Sequence, residues 1–275
     1  MLLYVHSAGR GFLPLPTLDT LLATSKHDKV RLVLQAGEVR TYGQHIEKLA
    51  EPADQVVVLP PKIKRLSPTR QWILENCPTN KFVLFDDDLV FAKRRTDDIT
   101  KFEPCGTRDI VRMLDALESS LDMYVHVGLM AREGGNRVPV DRRGKPVPVI
   151  EATRMMRVLG YNKNNIRCPA RFDRLPTKQD FDMTLQLLRG GYPNGVLTAF
   201  VHNQFGSNTA GGCSAYRDEA MMKRSAELLA KLHPGFVKVV EKETKSAWGG
   251  GVRTDVQISW KKALAEGQAN GGREC

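Results

Sequence analysis

No run of apolar residues in this chain approaches the roughly 20 that a membrane-spanning helix needs. The N-terminal stretch "MLLYVHSAGR" has neither a basic n-region nor a small-residue cleavage site, so it reads as a first β-strand rather than a signal peptide. Cysteine is scarce and scattered. Cys77, Cys105, Cys168, Cys213 and Cys275 are odd in number and contain no CxxC pair. That argues against a disulfide framework or a zinc site, and for a reducing, cytoplasmic setting. Internal repeats are absent, and so is a Gly-rich P-loop: "SAGRG" after the first strand lacks the spacing of a dinucleotide fingerprint.

What remains is a basic α/β pattern. The 275 residues, 41% of them hydrophobic, suffice for one large domain or two small ones, and the formal net charge is +10. The charge is concentrated. Between Arg132 and Lys178 there are twelve Lys or Arg against four Asp or Glu, an excess of eight. The same segment holds Gly134, Gly135, Gly144, Pro139, Pro146, Pro148 and the turn "YNKNN". It reads as a long, flexible, cationic excursion suited to an anionic partner such as a nucleic-acid backbone; the plainer alternative is a solvated surface.

"LLYVH" (2–6), "VRLVLQA" (30–36), "QVVVLP" (55–60) and "KFVLFDDD" (81–88) are brief, rich in Val, Leu and Phe, and bounded by turn residues, as strands are. Between them "PTLDTLLATS", "YGQHIEKLA" and "SPTRQWILENC" have helical patterning, with Ser67 as N-cap and Pro68 at the first helical position. Continuous apolar strands alternating with helices predict a mostly parallel sheet covered on both faces. Further on, Ile110, Met113, Leu114, Leu117 and Leu121 form one apolar helical stripe, which is core. "MYVHVGLM" (123–130) and "VLTAFVHN" read as strands, and "RDEAMMKRSAELLAKLH" as the last helix, ending at Pro234 and Gly235. Residues 263–275 are poor in apolar side chains and read as a disordered tail.

Three consecutive acids, Asp86, Asp87 and Asp88, follow "FVLF" where the fourth strand should end. Like charges repel, and anions beside a core need a partner. Ligands of open α/β sheets bind beyond the carboxyl ends of the strands. Asp86 and Asp88 share a side if the backbone stays extended, and carboxylates of this kind suit magnesium or manganese. The local alternative is an exposed turn pairing with Lys93, Arg94 and Arg95. Two later residues point the same way. Asp180 lies in the first turn of a helix in "QDFDMTLQLLRGGY", although Thr177 and Asp180 also have the spacing of a capping box. His202 ends a strand in "AFVHNQ", where a buried core histidine is the alternative.

In this order, "DDD", "QDFDMTLQLLRGGY" and His202 resemble the GT-A glycosyltransferases over about residues 1 to 205; Gln179 departs from the glutamate usual at its position. "FVLFDDDLVFAKR", "VGLMAREGGNRV", "DFDMTLQLLRGGYPN" and "GGCSAYRDE…HPGFVKVV…W" extend the likeness to about residue 262 and narrow it to the TET/JBP-associated glycosyltransferases of phage and eukaryotes. The resemblance implies a Rossmann-like GT-A fold in a single domain, 1–262, with a nucleotide-sugar half (1–90) and an acceptor half (91–262). It implies a Mn2+ or Mg2+ ion held by Asp86, Asp88 and His202. Donor contacts fall on Ser7, Arg10, Arg70, Asp86 and Asp87, with Asp180 as general base and His126, Arg132, Asn136 and Arg137 on the acceptor side. The implied donor is a UDP-sugar, by default UDP-glucose, and the implied acceptor a hydroxymethylated pyrimidine such as 5-hydroxymethylcytosine in DNA. The setting would be a host cytoplasm if the chain is of phage origin. A protein or small-molecule acceptor, a palm-like nucleotidyltransferase and a non-enzymatic nucleic-acid-binding module are the alternatives.

Overall fold

The computed structural model describes residues 1–204, 212, 217–244 and 251–272. Most of "GGCSAYRDE", together with Cys213 and Cys275, lies outside the described residues. In chain order the strands are β1 (Leu2–His6), β2 (Val30–Gln35), β3 (Val56–Leu59), β4 (Lys81–Asp86), β5 (Leu89–Arg94), β6 (Phe102–Pro104), β7 (His126–Ala131), β8 (Val149–Ile150), β9 (Val158–Asn162), β10 (Asn194–Gln204), β11 (Val237–Thr244) and β12 (Gly251–Ile258). The helices are α1 (Pro16–Leu22), α2 (Gly43–Ile46), α3 (Pro52–Gln55), α4 (Leu66–Asn76), α5 (Thr107–Met123), α6 (Gln179–Arg189), α7 (Glu219–Leu232) and α8 (Trp260–Ala269).

Strands β1 to β10 form one sheet in the order β3-β2-β1-β4-β9-β7-β10-β5-β6, with β8 paired to β10. The four strands expected from the sequence are its parallel half. Strand β10 runs parallel to β7, while β9, β5, β6 and β8 enter antiparallel. The period-two rule sorts the side chains. Leu3, Val5, Val83 and Phe85 face one way, onto Leu18 and Leu21 of α1 and the Ile110–Leu121 stripe of α5. Leu2, Tyr4, Phe82 and Leu84 face the other, onto Ile73 of α4 and Met183 and Leu187 of α6. Both faces are thus covered by helices, which is why these strands are apolar along their whole length.

Chain order places the binding crevice. From β1 the chain steps outward to β2 and β3, then returns to β4 on the opposite side of β1. The switch point falls between the carboxyl ends of β1 and β4, where His6 is registered against Asp86.

Four expectations are corrected. Segment 132–178 is not a continuous flexible excursion: it carries β8 and the wholly buried β9, inserted between β4 and β7. The strand was hidden because it has only five residues and includes Gly160, whose absent side chain admits Val127: a Cβ there would lie 2.8 Å from Val127 Cγ2. The C-terminal stretch is helical to Ala269. Helix α8 buries Ala263, Leu264 and Gly267, and Gly267 packs so close to the end of α6 that a Cβ would meet Leu188 and Arg189 carbonyls at 2.4 Å. Ser67 does not cap α4; its hydroxyl donates to the Leu175 carbonyl at 2.6 Å. Cys168 is disulfide-bonded, whereas Cys77 and Cys105 are free thiols.

Candidate active site

A threonine pins the backbone of the acidic turn. Thr17, at the start of α1, donates its hydroxyl to the Asp86 carbonyl at 2.7 Å and accepts from the Leu89 amide at 2.8 Å. Its own amide reaches the Asp87 carbonyl at 3.3 Å. The turn is thereby tied to α1, with Asp86 turned to one set of partners while Asp87 and Asp88 share another.

Asp86 receives Arg70 from α4 at 2.7 Å and His6 Nε2 at 3.3 Å through the same Oδ1. Burial opposes its charge, yet Arg70, with His6 and Arg157, outweighs burial and holds the carboxyl well below the usual range. Asp87 accepts from the Ser7 hydroxyl and from Arg10 at 2.8 Å, and burial pushes it upward against the pull of Arg10. Asp88 shares Arg10 at 3.0 Å and accepts from Gln204 at 2.7 Å. Lys93, Arg94 and Arg95 take other partners: Glu103 and Asp109 for the first, backbone carbonyls for the second, Asp97 for the third. The purely local account of the three acids does not hold.

On the turn and the elements that contact it, Asp88 Oδ1, both ring nitrogens of His202, His6 Nδ1 and Arg70 Nε are buried with no hydrogen-bond partner among the described residues. Buried polar groups are ordinarily satisfied, so these atoms are candidate contacts for a polar ligand. His202 is registered against Ala131 at the carboxyl end of β7 and carries no exposed surface. Burial, reinforced by Arg157, pushes its imidazole down to about 3, so the ring is neutral at ordinary pH.

Asp180 lies where α6 begins. The capping-box account fails there: Lys178 is the N-cap residue, in a left-handed conformation, no side chain caps the helix, and the Thr177 hydroxyl is unpartnered. The Asp180 carboxylate accepts only from the adjacent Phe181 amide, at 3.0 Å. Burial raises it, Arg70 opposes, and the field of Asp86 adds to the rise. Arg70 and Asp180 also act electrostatically on Tyr161. Arg70 therefore acts on both acidic centres.

The remaining expected residues divide. Arg132, Asn136 and Arg137 are exposed on the loop after β7, beside the carboxyl edge of the sheet. Arg132 and Asn136 line a cleft of about 570 Å³ with Arg95, Lys101 and Phe102. His126 is corrected: it begins β7 at the opposite edge, is fully buried and contacts the Tyr192 carbonyl at 3.1 Å. Burial brings it down to about 4. Sequence reading missed His6, Thr17, Arg157, Gln204 and Tyr42, whose hydroxyl meets the Ser7 hydroxyl at 2.9 Å and accepts from the Arg10 amide at 3.0 Å. Gln204 was findable, because it follows His202 by two on the same face of β10. Arg157 was not: it precedes the hidden β9, which carries it to the site.

Among the described residues no three His, Cys, Asp or Glu side chains stand together closely enough to hold a metal ion by themselves. No described helix is long and apolar enough to cross a membrane.

A doubly covered α/β sheet with an acidic turn at its switch point, a second acid opening a later helix and a buried histidine on a neighbouring strand is the architecture of the GT-A glycosyltransferases. The chain matches the family model described as TET-Associated Glycosyltransferase over residues 1–212, and it belongs to that family. Among solved structures, S. aureus TarS 1–349 in complex with UDP-GlcNAc is similar at 12% identity and a TM-score of 0.52, over 84% of this chain. This chain spans 65% of the length of that 1–349 chain. Glucosyl-3-phosphoglycerate synthase from Mycobacterium tuberculosis, solved with Mg2+ and UDP, is similar at 11% identity and a TM-score of 0.47, over 94% of this chain and 90% of its own. No curated protein matches the chain.

Proposed function

We propose that this protein transfers a sugar from a UDP-sugar to a hydroxymethylated pyrimidine in DNA. The observation that carries the reading is the acidic turn at the switch point of the sheet, where Asp88 Oδ1, His6 Nδ1, Arg70 Nε and the His202 ring are buried without partners among the described residues. The UDP-GlcNAc complex of TarS, a protein of the same fold, supports the donor class. The family description and the exposed Arg132 and Arg137 on the loop after β7 support an anionic acceptor.

In this reading Arg70 and Arg10 bind and orient the donor diphosphate. Each already neutralises one or more carboxylates of the turn, and a guanidinium fork presents further donors to phosphate oxygens. Asp180 takes the proton from the acceptor hydroxyl. Burial raises its carboxyl toward the pH at which a base works best, a contribution of roughly 10²–10⁴-fold to the rate. Chemistry on a base requires the base out of the stack, and the exposed Arg132 and Arg137 meet the flanking phosphates.

The donor atoms fit a hard divalent cation. Asp88 Oδ1 and the neutral imidazole of His202 are unpartnered, while Asp86 gives its Oδ1 to Arg70 and His6. Asp88 and His202 would hold Mn2+ or Mg2+, with Asp86 beside them, and the shell would be completed by water and phosphate oxygens. Such an ion supplies Lewis-acid stabilisation of charge developing on the leaving diphosphate.

The test is UDP release from a panel of UDP-sugars, with and without manganese and with and without duplex DNA containing hydroxymethylcytosine. The reading expects one sugar to be consumed, faster with the modified DNA. No UDP release under any combination would overturn it.

A further inference from the structure

Residues Lys178, Phe181 and Asp182 surround Asp180 in sequence, and each is held from outside by the C-terminal unit of α7, β11, β12 and α8. The Lys178 ammonium lies 3.6 Å from Asp255 on β12, and Asp255 is itself held by Lys242 at 2.9 Å and Arg253 at 3.4 Å. The Phe181 ring meets Trp260 of α8 edge to face, with centroids 5.6 Å apart. Asp182, without exposed surface, accepts from His233 Nε2 at 2.7 Å, just beyond α7, and from Arg174 at 3.1 Å. Arg189 donates to His233 Nδ1 at 3.3 Å, which fixes the tautomer that donates to Asp182. Beneath these contacts Leu185 and Leu188 of α6 pack in one cluster with Leu229, Phe236, Val256 and Leu264.

Helix α6 has no side-chain cap, and its N-cap residue is a left-handed lysine. A first turn without a cap is poorly fixed by local bonds alone. We infer that the C-terminal unit, which lies beyond the family match of residues 1–212, is a positioning clamp for Asp180: His233, Asp255 and Trp260 hold the residues flanking it, so that the carboxylate stands where the acceptor proton must be taken. This rests on the reading of Asp180 as general base. Misplacing a reacting group by about an ångström costs on the order of a hundredfold in rate, so a slackened first turn registers in turnover before it registers in binding.

The experiment uses the full chain and follows sugar transfer. Trp260→Ala should lower kcat on the order of tenfold and leave the donor KM within about twofold. Trp260→Phe, which keeps a ring edge against Phe181, should recover most of the loss. In an Asp180→Asn background, Trp260→Ala should change the residual turnover by less than about twofold, because the group it positions is gone. Asp255→Asn, which releases Lys178 without opening the apolar cluster, should give the same split if Trp260→Ala does not fold. Wild-type kcat in a folded Trp260→Ala or Asp255→Asn variant would overturn the clamp. So would an undiminished loss in the Asp180→Asn background, or loss of folding in both variants. Near wild-type turnover in Asp180→Asn alone would instead remove the base assignment on which the clamp depends.

Discussion

Asp86, Asp87 and Asp88 are neighbours in one turn, yet each has its own environment. Asp86 is held ionised by Arg70 and His6, Asp87 is buried against Arg10 and Ser7, and Asp88 keeps one oxygen without a partner. The free oxygen makes Asp88 the ligand to test. Asp88→Asn should abolish the manganese-dependent part of donor binding in a thermal-shift titration while the fold stays intact, since ligand binding raises apparent stability only through the folded state. Donor binding unchanged with metal present would return Asp88 to a structural role. Asp180→Asn should leave donor affinity nearly unchanged and lower kcat by roughly 10²–10⁴-fold. The sequence made these acids visible through charge next to an apolar strand. It could not show the partners of Asp86 and Asp87, because Arg10 and Arg70 come from distant elements, and it gave Asp180 a rival local explanation that the Lys178 N-cap and the unpartnered Thr177 hydroxyl remove.

At the scale of elements, the parallel half and the α5 stripe were legible because their apolar residues repeat at the periods of strand and helix. Strand β9 was not, since five residues with a central glycine inside a cationic stretch carry too little periodicity. Its glycine is a packing requirement. Gly160→Ala would bring a methyl to 2.8 Å from Val127 Cγ2 and 3.4 Å from Val83 Cγ2. Overpacking of this kind costs about 1–3 kcal/mol, read as a fall in the denaturant midpoint. The loss should also reach the site, because the Arg157 carbonyl at the head of β9 accepts from the Asp86 amide at 3.0 Å. Helix α8 was missed for a related reason: its buried side is made of Ala263, Leu264 and Gly267, small residues that leave a weak hydrophobic signature but permit close approach to α6.

For the whole molecule, the buried histidines set the acid limit of stability. Burial lowers His126 from 6.5 to about 4 and His202 from 6.5 to about 3. In the unfolded chain both bind protons near 6.5, whereas the folded protein resists until the lower values. Their neutral burial is therefore tolerated fully above 6.5, and stability falls as pH drops from there toward 4. With metal chelated, the two together give a slope of up to about 3 kcal/mol per pH unit in that window, measurable by urea unfolding at a series of pH values. Flat stability between pH 7 and pH 5 would contradict this.

The net charge of +10 acts at the same scale. If the loop after β7 tracks a DNA backbone, neutralising Arg132 and Arg137 together should flatten the slope of log K against log salt by up to about 2. Donor affinity should not respond, because the proposed donor site is the acidic turn. The most direct test of the account is nucleoside mass analysis of duplex DNA after incubation with the protein, a UDP-sugar panel and manganese. The account predicts a one-sugar mass gain on hydroxymethylcytosine, none on cytosine, and its disappearance with Asp180→Asn. Donor hydrolysis with no mass gain on either DNA would contradict it.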